Sequence, residues 1–399
     1  MTRQIQDAYI VAATRTPVAK RRGAFRNVRP DDMLAHVLRE VVGKVDGLDA
    51  HEIGDVIVGC AMPEAEQGMN VARIGALLAG LPQSVPGITI NRFCSSGLNA
   101  VADAAMRIQL GEADVMIGAG TESMTIMPQM MGNKVAINPA VFANDEHRAI
   151  AYGMGLTAER VATRYNVSRD DQDAFAQASH EKASAAIAAG HFRNEISPYT
   201  VQEHRAGAGA EVQIVERLVD TDEGPRADSS REGLAKLRPV FAAKGSVTAG
   251  NSSQMSDGAA AVLLMSEAAV KRYGVTPIAR YRSFSVAGVP PEVMGIGPVE
   301  AIPRALTRAG IAQQDIGWIE LNEAFAAQAL AVIRTLGLDP ARVNPLGGAI
   351  ALGHPLGATG AIRVATLMSA MQRDAALKYG MVTMCVGTGM GAAGIFERV

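Results

Sequence analysis

Cys94 stands in the run Asn91-Arg92-Phe93-Cys94-Ser95-Ser96-Gly97. An apolar stretch, 85–90, precedes it, and a small-residue, helix-competent stretch, 100–110, follows. The pattern predicts a strand, a tight Ser/Gly-rich turn and a buried helix. A cysteine at such a turn meets the free N–H groups and the positive dipole end of the helix. That setting lowers a thiol's pKa and makes the sulfur a nucleophile; a cysteine is equally a common filler of cores. Two further runs carry chemistry. His354 lies in Gly353-His354-Pro355-Leu356-Gly357-Ala358-Thr359-Gly360, where glycines and a proline let backbone pass close to something. Cys385 follows an apolar strand, 380–384, and opens the glycine turn Cys385-Val386-Gly387-Thr388-Gly389.

Two cysteines and a histidine also evoke a metal site. The spacing argues against one, since the chain has no C-x-x-C and no H-x-x-x-H pair, and no metal is expected. Three cysteines without a secretory segment do not read as a disulfide framework. Cys60, at the end of the apolar run 56–59, reads as core.

These side chains must be positioned by a large frame. The 399 residues are enough for two or three domains, and 48% hydrophobic with 20% charged residues suits a compact core. A net charge of −2 gives the whole molecule no pull toward nucleic acid or an anionic membrane. No apolar run reaches the roughly 18 residues that cross a bilayer. The first residues lack the apolar centre of a signal peptide, and Phe396-Glu397-Arg398-Val399 is no peroxisomal tripeptide. A cytoplasmic enzyme with reduced thiols is expected.

The two ends of the chain echo each other. Ile53-Gly54-Asp55-Val56-Ile57-Val58-Gly59 resembles Ile316-Gly317-Trp318-Ile319-Glu320-Leu321, and Gly118-Ala119-Gly120-Thr121-Glu122 resembles the turn at Cys385. The turn and helix at Cys94 resemble those at His354. Short β-rich runs alternate with helical patterns in both ends, which predicts βαβ units and mostly parallel sheets. Between them, about 123–251, lies a different segment. It opens with Met124, Met127, Met130 and Met131. It continues with a charged helical stretch, 157–189, for which Ser168 offers an N-cap with Asp171 three residues on and Gly190 a stop, then turns more polar over 205–236.

The three motifs, with Asn322-Glu323-Ala324-Phe325-Ala326 between them, resemble those of the thiolases, from Ala12-Ala13-Thr14-Arg15-Thr16-Pro17 to Gly394. Thiolases are acetyl-CoA acyltransferases that cleave 3-ketoacyl-CoA or run the reverse Claisen condensation. The resemblance implies an α/β fold of two similar halves in a layered αβαβα arrangement with an inserted loop domain. The N-terminal half would take 1–122, completed by about 252–276. The loop domain would take 123–251, and the C-terminal half 277–399.

The same resemblance implies roles. Cys94 would carry the acyl group, and a thiol suits transfer to and from the thiol of coenzyme A. His354 would draw the proton from Cys94 and donate to the thioester oxygen. Cys385 would act as acid and base at the α-carbon. Asn322 would orient a water sharing an oxyanion site with His354, although Asn322-Glu323 also reads as a helix start; Glu323 would support from behind. The backbone N–H groups of Cys94 and Gly387 would form a second oxyanion hole.

No P-loop or Rossmann fingerprint is present. No permanently bound cofactor is expected, with coenzyme A and acyl-CoA as substrates. By resemblance Arg226 lies against the adenine end. Phe241, Ala249, Ser253 and Met294 line the pantetheine, Ala324 and Phe325 sit near its thiol end, and Met154 joins this set. Short-chain biosynthetic relatives carry a histidine before Met-Gly; Tyr152-Gly153-Met154-Gly155 has Gly153 there. That departure favours a degradative 3-ketoacyl-CoA thiolase over the alternative, an acetoacetyl-CoA-specific acetyltransferase. A one-way condensing enzyme would usually lack Cys385, and the intact set argues against a mere scaffold subunit of a β-oxidation complex. A homodimer or homotetramer is expected, with a hydratase/dehydrogenase as a further partner.

Overall fold

The computed structural model describes residues 5–126, 137–209 and 211–399. Met127, Met130 and Met131 lie outside the described residues. The strands are β1 (Ala8–Arg15), β2 (Ala19–Lys20), β3 (Ile53–Gly59), β4 (Gly87–Ile90), β5 (Val115–Ser123), β6 (Tyr199–Ala206), β7 (Val212–Val219), β8 (Ser256–Ser266), β9 (Ala279–Gly288), β10 (Ile316–Leu321), β11 (Tyr379–Val386) and β12 (Met390–Arg398). Ten of them form one sheet, which runs β10-β11-β12-β9-β1-β8-β5-β3-β4, with β2 beside β8.

This order contains two copies of one design. The path β4-β3-β5-β8-β1 repeats in β10-β11-β12-β9, and an isolated parallel bridge from Ile319 to Val343 stands where β4 pairs with β3. Pair directions match as well. β3 with β5 and β10 with β11 are parallel, whereas β5–β8–β1 and β11–β12–β9 are antiparallel. The halves meet where Tyr9 and Ile10 of β1 face Arg280 and Ala279 of β9. The echoes at Ile53 and Ile316 thus mark equivalent strands. The sheet is mixed rather than mostly parallel. The three-residue turn after Val386 leaves room only for a hairpin, with Val386 opposite Met390, so β12 must run antiparallel.

Burial follows the layers. Every residue of β5 and β8 is buried, as expected of strands covered on both faces. Helix Leu356–Arg373 is buried all round from Gly357 to Met371, which only a central layer permits. Helix Ser96–Gln109 lies against it. A Cβ on Gly97 would stand 2.7 Å from the Gly357 carbonyl, and one on Gly360 2.1 Å from the Leu98 nitrogen, so glycine sets this approach. The middle core joins Leu98, Val101 and Ile108 to Val364, Leu367, Val382 and Ile10. Helices Pro30–Gly43 and Val71–Leu78 cover the outer face of one half, and Gly297–Ala309 with Ala326–Leu336 cover the other. The result is five layers: helix, one half of the sheet, helix, the other half, helix.

The stretch 157–189, expected as one helix, is divided between two, Met154–Arg164 and Arg169–Ala188. The chain breaks at Asn166, at φ +52°, because Ser168 caps the second helix: its hydroxyl accepts the Asp171 N–H at 3.1 Å, and the Asp171 carboxylate answers to the Ser168 N–H. The polar stretch includes the exposed hairpin β6–β7. Among the described residues no helix is long and apolar enough to cross a membrane.

Candidate active site

Cys94 lies in the short 3-10 turn Phe93–Ser95 that ends directly in helix Ser96–Gln109, a turn earlier than the sequence pattern indicates. Small side chains build the turn. The Asn91 carboxamide oxygen accepts the Phe93 N–H at 2.8 Å, and the Ser96 hydroxyl accepts the Arg92 N–H at 2.8 Å and donates to the Phe93 carbonyl at 2.7 Å. Phe93 pays for the sharp bend with φ +44°. The half-buried Cys94 thiol lies by the backbone N–H groups of Gly387 and of Cys94 itself, both of which favour its thiolate. Gly387 therefore stands at the sulfur, with Phe93 and the Met154 sulfur on its open side.

The thiol's acidity differs from expectation. Burial outweighs the two N–H groups, and the Glu122 carboxylate adds to it, so the Cys94 pKa rises to about 11 instead of falling. The helix end supplies donors, but the dense apolar surroundings cost the thiolate more than those donors return.

Cys385 ends β11 wholly buried beside Cys94. Burial first, and the charge of a neighbouring Cys94 thiolate second, hold its thiol well above the usual range. It belongs to one small apolar cluster with Ala158, Val247, Met294, Ala324 and Phe325.

His354 stands two residues before helix Leu356–Arg373, which packs on the Phe93–Ser95 turn. Its Nε2 lies 3.3 Å from the Asn322 side-chain nitrogen and its Nδ1 2.6 Å from the Thr359 hydroxyl oxygen. Burial, then the Arg363 charge, lowers its pKa to about 3, so the ring is neutral. Asn322 is no helix cap, because the next helix starts at Ala326. Its backbone N–H is spent on the Thr383 carbonyl at 2.9 Å, and its buried Oδ1 has no hydrogen-bond partner among the described residues. Such an acceptor wants a water or a substrate donor. Glu323 sits behind it, accepting from Ser179 and Asn344 at 2.7 Å each and from the Ile350 N–H at 3.2 Å. It thereby fixes the glycine turn that leads to His354. Cys60 is buried core against Glu122.

The residues expected to hold coenzyme A fall in two places. Arg226 and Ala249 line an open cleft of about 320 Å3 together with His180, Ser229 and Ser230. Met294, Ala324 and Phe325 form the wall around Cys385. Phe241 joins them edge to face on Phe325, with centroids 6.1 Å apart, and the Ser253 N–H binds the Ala324 carbonyl at 2.9 Å. A Cβ at Gly153 would meet nothing within 4 Å. Sequence reasoning missed Thr359, whose only signal was a hydroxyl among small residues five positions after His354. It also missed His180, whose Nδ1 accepts the Arg226 N–H at 3.1 Å, and Glu122. Among the described residues no group of three His, Cys, Asp or Glu is placed to hold a metal.

Comparisons with known proteins agree with this architecture. The thiolase N-terminal domain matches residues 8–268 and the thiolase C-terminal domain residues 275–398. A 3-ketoacyl-CoA thiolase of Bacillus subtilis (strain 168) is 51% identical over 98% of this chain and 100% of its own length. The crystal structure of the Bacillus anthracis acetyl-CoA acetyltransferase superposes with a TM-score of 0.89 at 39% identity, covering both chains completely. The dimeric peroxisomal thiolase of Saccharomyces cerevisiae gives the same TM-score at 41% identity, over 99% of this chain and 98% of its own. With both thiolase domains matched over residues 8–268 and 275–398 and a relative 51% identical over 98% of this sequence, the chain belongs to the thiolase family.

Proposed function

We propose that the protein is a 3-ketoacyl-CoA thiolase that works through an acyl-Cys94 intermediate. One observation carries this reading: the Phe93–Ser95 turn packs on β11, which brings the Cys94 sulfur beside Cys385 and the backbone N–H of Gly387. Relatives named as 3-ketoacyl-CoA thiolases support the substrate class.

In thiolysis, His354 Nε2 takes the Cys94 proton as the sulfur attacks the 3-keto carbon. The developing oxyanion lies at the Cys94 and Gly387 N–H groups, and a lost donor of this type costs roughly 10²–10³ in rate. The C2–C3 bond then breaks, and its electron pair becomes the enolate of acetyl-CoA. His354 and a water on Asn322 stabilise the enolate oxygen, and Cys385 gives its proton to C2. Acetyl-CoA leaves, and the acyl group remains on Cys94. A second coenzyme A enters, passes its thiol proton to the Cys385 thiolate, and attacks the acyl-cysteine; Cys94 departs and regains its proton from His354. Condensation is the reverse sequence.

We infer further that residues 123–251 cover the site. Arg226 takes the adenine end, and Met154, Phe241, Ala249, Ser253, Met294, Ala324 and Phe325 hold the pantetheine. The chain would work as a homo-oligomer, which fits the exposed apolar side chains Leu77, Leu78 and Ile88 at and beside edge strand β4; a monomeric mass by light scattering would count against it. Thiolysis assays on the purified enzyme, with 3-ketoacyl-CoA chains of four to sixteen carbons, test the function. Cleavage of several lengths is expected, and cleavage of acetoacetyl-CoA alone would replace this reading with the acetoacetyl-specific one.

A further inference from the structure

Helices Ser96–Gln109 and Leu356–Arg373 hold equivalent places in the two halves, the first leading into β5 and the second into β11. Each begins with free N–H groups and the positive end of its dipole. The first end has no side-chain cap and opens on Cys94. The second is filled. Glu122, near the end of β5, reaches across from the opposite half, and its Oε2 accepts the Gly357 N–H at 2.8 Å and the Ala61 N–H at 2.8 Å. Its Oε1 accepts from the Gln67 carboxamide, from the Met62 N–H at 3.3 Å and from the Cys60 thiol at 3.9 Å. The carboxyl is wholly buried, and its partners are N–H groups, an amide and a thiol rather than a cation. A Cβ on Gly357 would stand 2.6 Å from the Ala61 nitrogen and 2.8 Å from Glu122 Oε2, so this position is shaped for the contact.

Gly357 lies between His354 and Thr359. Upstream, the His354 backbone is held by its N–H, shared between the Gln254 carbonyl and the Ser256 hydroxyl at 3.2 Å each. The firm anchor of this turn is Glu122. We propose that Glu122 is a positioning residue for acyl transfer: by tying the first turn of helix Leu356–Arg373 to β5 and to the Cys60–Ala61 bend, it holds His354 in register with Cys94. The two equivalent helix ends are thereby divided, one left open for the reacting sulfur and the other sealed to aim the base. This inference rests on the role given above to His354.

Glu122→Gln keeps the size and one acceptor oxygen but turns a donor toward Gly357, Ala61 or Gln67. The folded variant should keep KM for both substrates within about two-fold and lose about 10-fold or more in kcat, the range set by one buried hydrogen bond lost. The deciding readout is the cycle with His354→Ala. If Glu122 acts through His354, Glu122→Gln will slow single-turnover acetylation of Cys94 in the native background and not in His354→Ala. Should Glu122→Gln not fold, Gln67→Met removes one donor and should give a smaller loss with the same pattern. A normal kcat in the folded variant, or a loss that persists undiminished in His354→Ala, overturns the proposal. A fully active His354→Ala would instead overturn the role of His354 itself.

Discussion

His354 Nδ1 lies 2.6 Å from Thr359 Oγ1, and the same hydroxyl donates to the Pro355 carbonyl at 3.0 Å. Its one hydrogen is spent there, so Thr359 accepts from His354, which fixes the proton on Nδ1 and leaves Nε2 as a lone pair. A neutral ring whose Nε2 keeps its lone pair, met only by the Asn322 carboxamide nitrogen at 3.3 Å, is what a base for Cys94 requires. Thr359→Val keeps the shape and leaves the Nδ1–H unpaired. A loss of about 1–3 kcal/mol is expected, read as a fall in kcat of roughly 5- to 150-fold with KM little changed. An unaltered kcat would show that the tautomer is set elsewhere.

Cys94 should carry the acyl group. After brief exposure to acetyl-CoA, intact-mass analysis should show one acetyl per chain, absent in Cys94→Ala. Acetyl mapped to Cys385 or Cys60 would reverse the assignment.

Cys385→Ala should still take the acetyl group on Cys94, since the sulfur and its two N–H donors remain. It should lose thiolysis, condensation and the exchange of acetyl-CoA methyl protons with deuterated solvent. Exchange at the native rate would place the carbon base on another residue.

The shifts at Cys94 and His354 run toward the neutral forms of both, so the resting pair is thiol and imidazole rather than thiolate and imidazolium. A thiolate absorbance that depends on Cys94 should appear only as pH rises toward about 11. Cys94 acetylation in a single turnover should be flat around neutral pH, because the His354 proton arrives only as pH falls toward about 3. A Cys94 thiolate titrating near neutrality would contradict this. For stability, the unfolded imidazole binds its proton below about 6.5 while the folded ring resists, so His354 removes stability as pH falls from there toward its folded pKa. The slope is at most about 1.4 kcal/mol per pH unit. Chemical denaturation of the native protein and of His354→Ala across that window measures it, and equal slopes would count against a buried neutral ring.

The open space at Gly153 predicts tolerance of chains longer than four carbons. Each methylene buried is worth up to about 0.8 kcal/mol, so kcat/KM for thiolysis should rise several-fold from four carbons to six or eight. Gly153→His should narrow the range toward acetoacetyl-CoA. A native enzyme whose kcat/KM drops beyond four carbons would refute the use of that space.

The types and order of Cys94, Asn322, His354 and Cys385 were legible in the sequence because each motif is local: a strand, a glycine turn and a helix are encoded by neighbours a few residues apart. The repeat was legible for the same reason, since Ile53 and Ile316 open equivalent strands. The tertiary structure decided what depends on residues far apart. It set the strand directions, because the tight turn at 387–389 forces β12 to fold back on β11. It reversed the expected acidity of Cys94, because a helix dipole is written in adjacent residues whereas desolvation comes from every segment packed around the sulfur. It also brought Glu122 to Gly357 across 235 positions, a hydrogen bond with no signature in either local run. The residues expected to carry the chemistry are encoded locally; their protonation states and their alignment come from burial between the two halves.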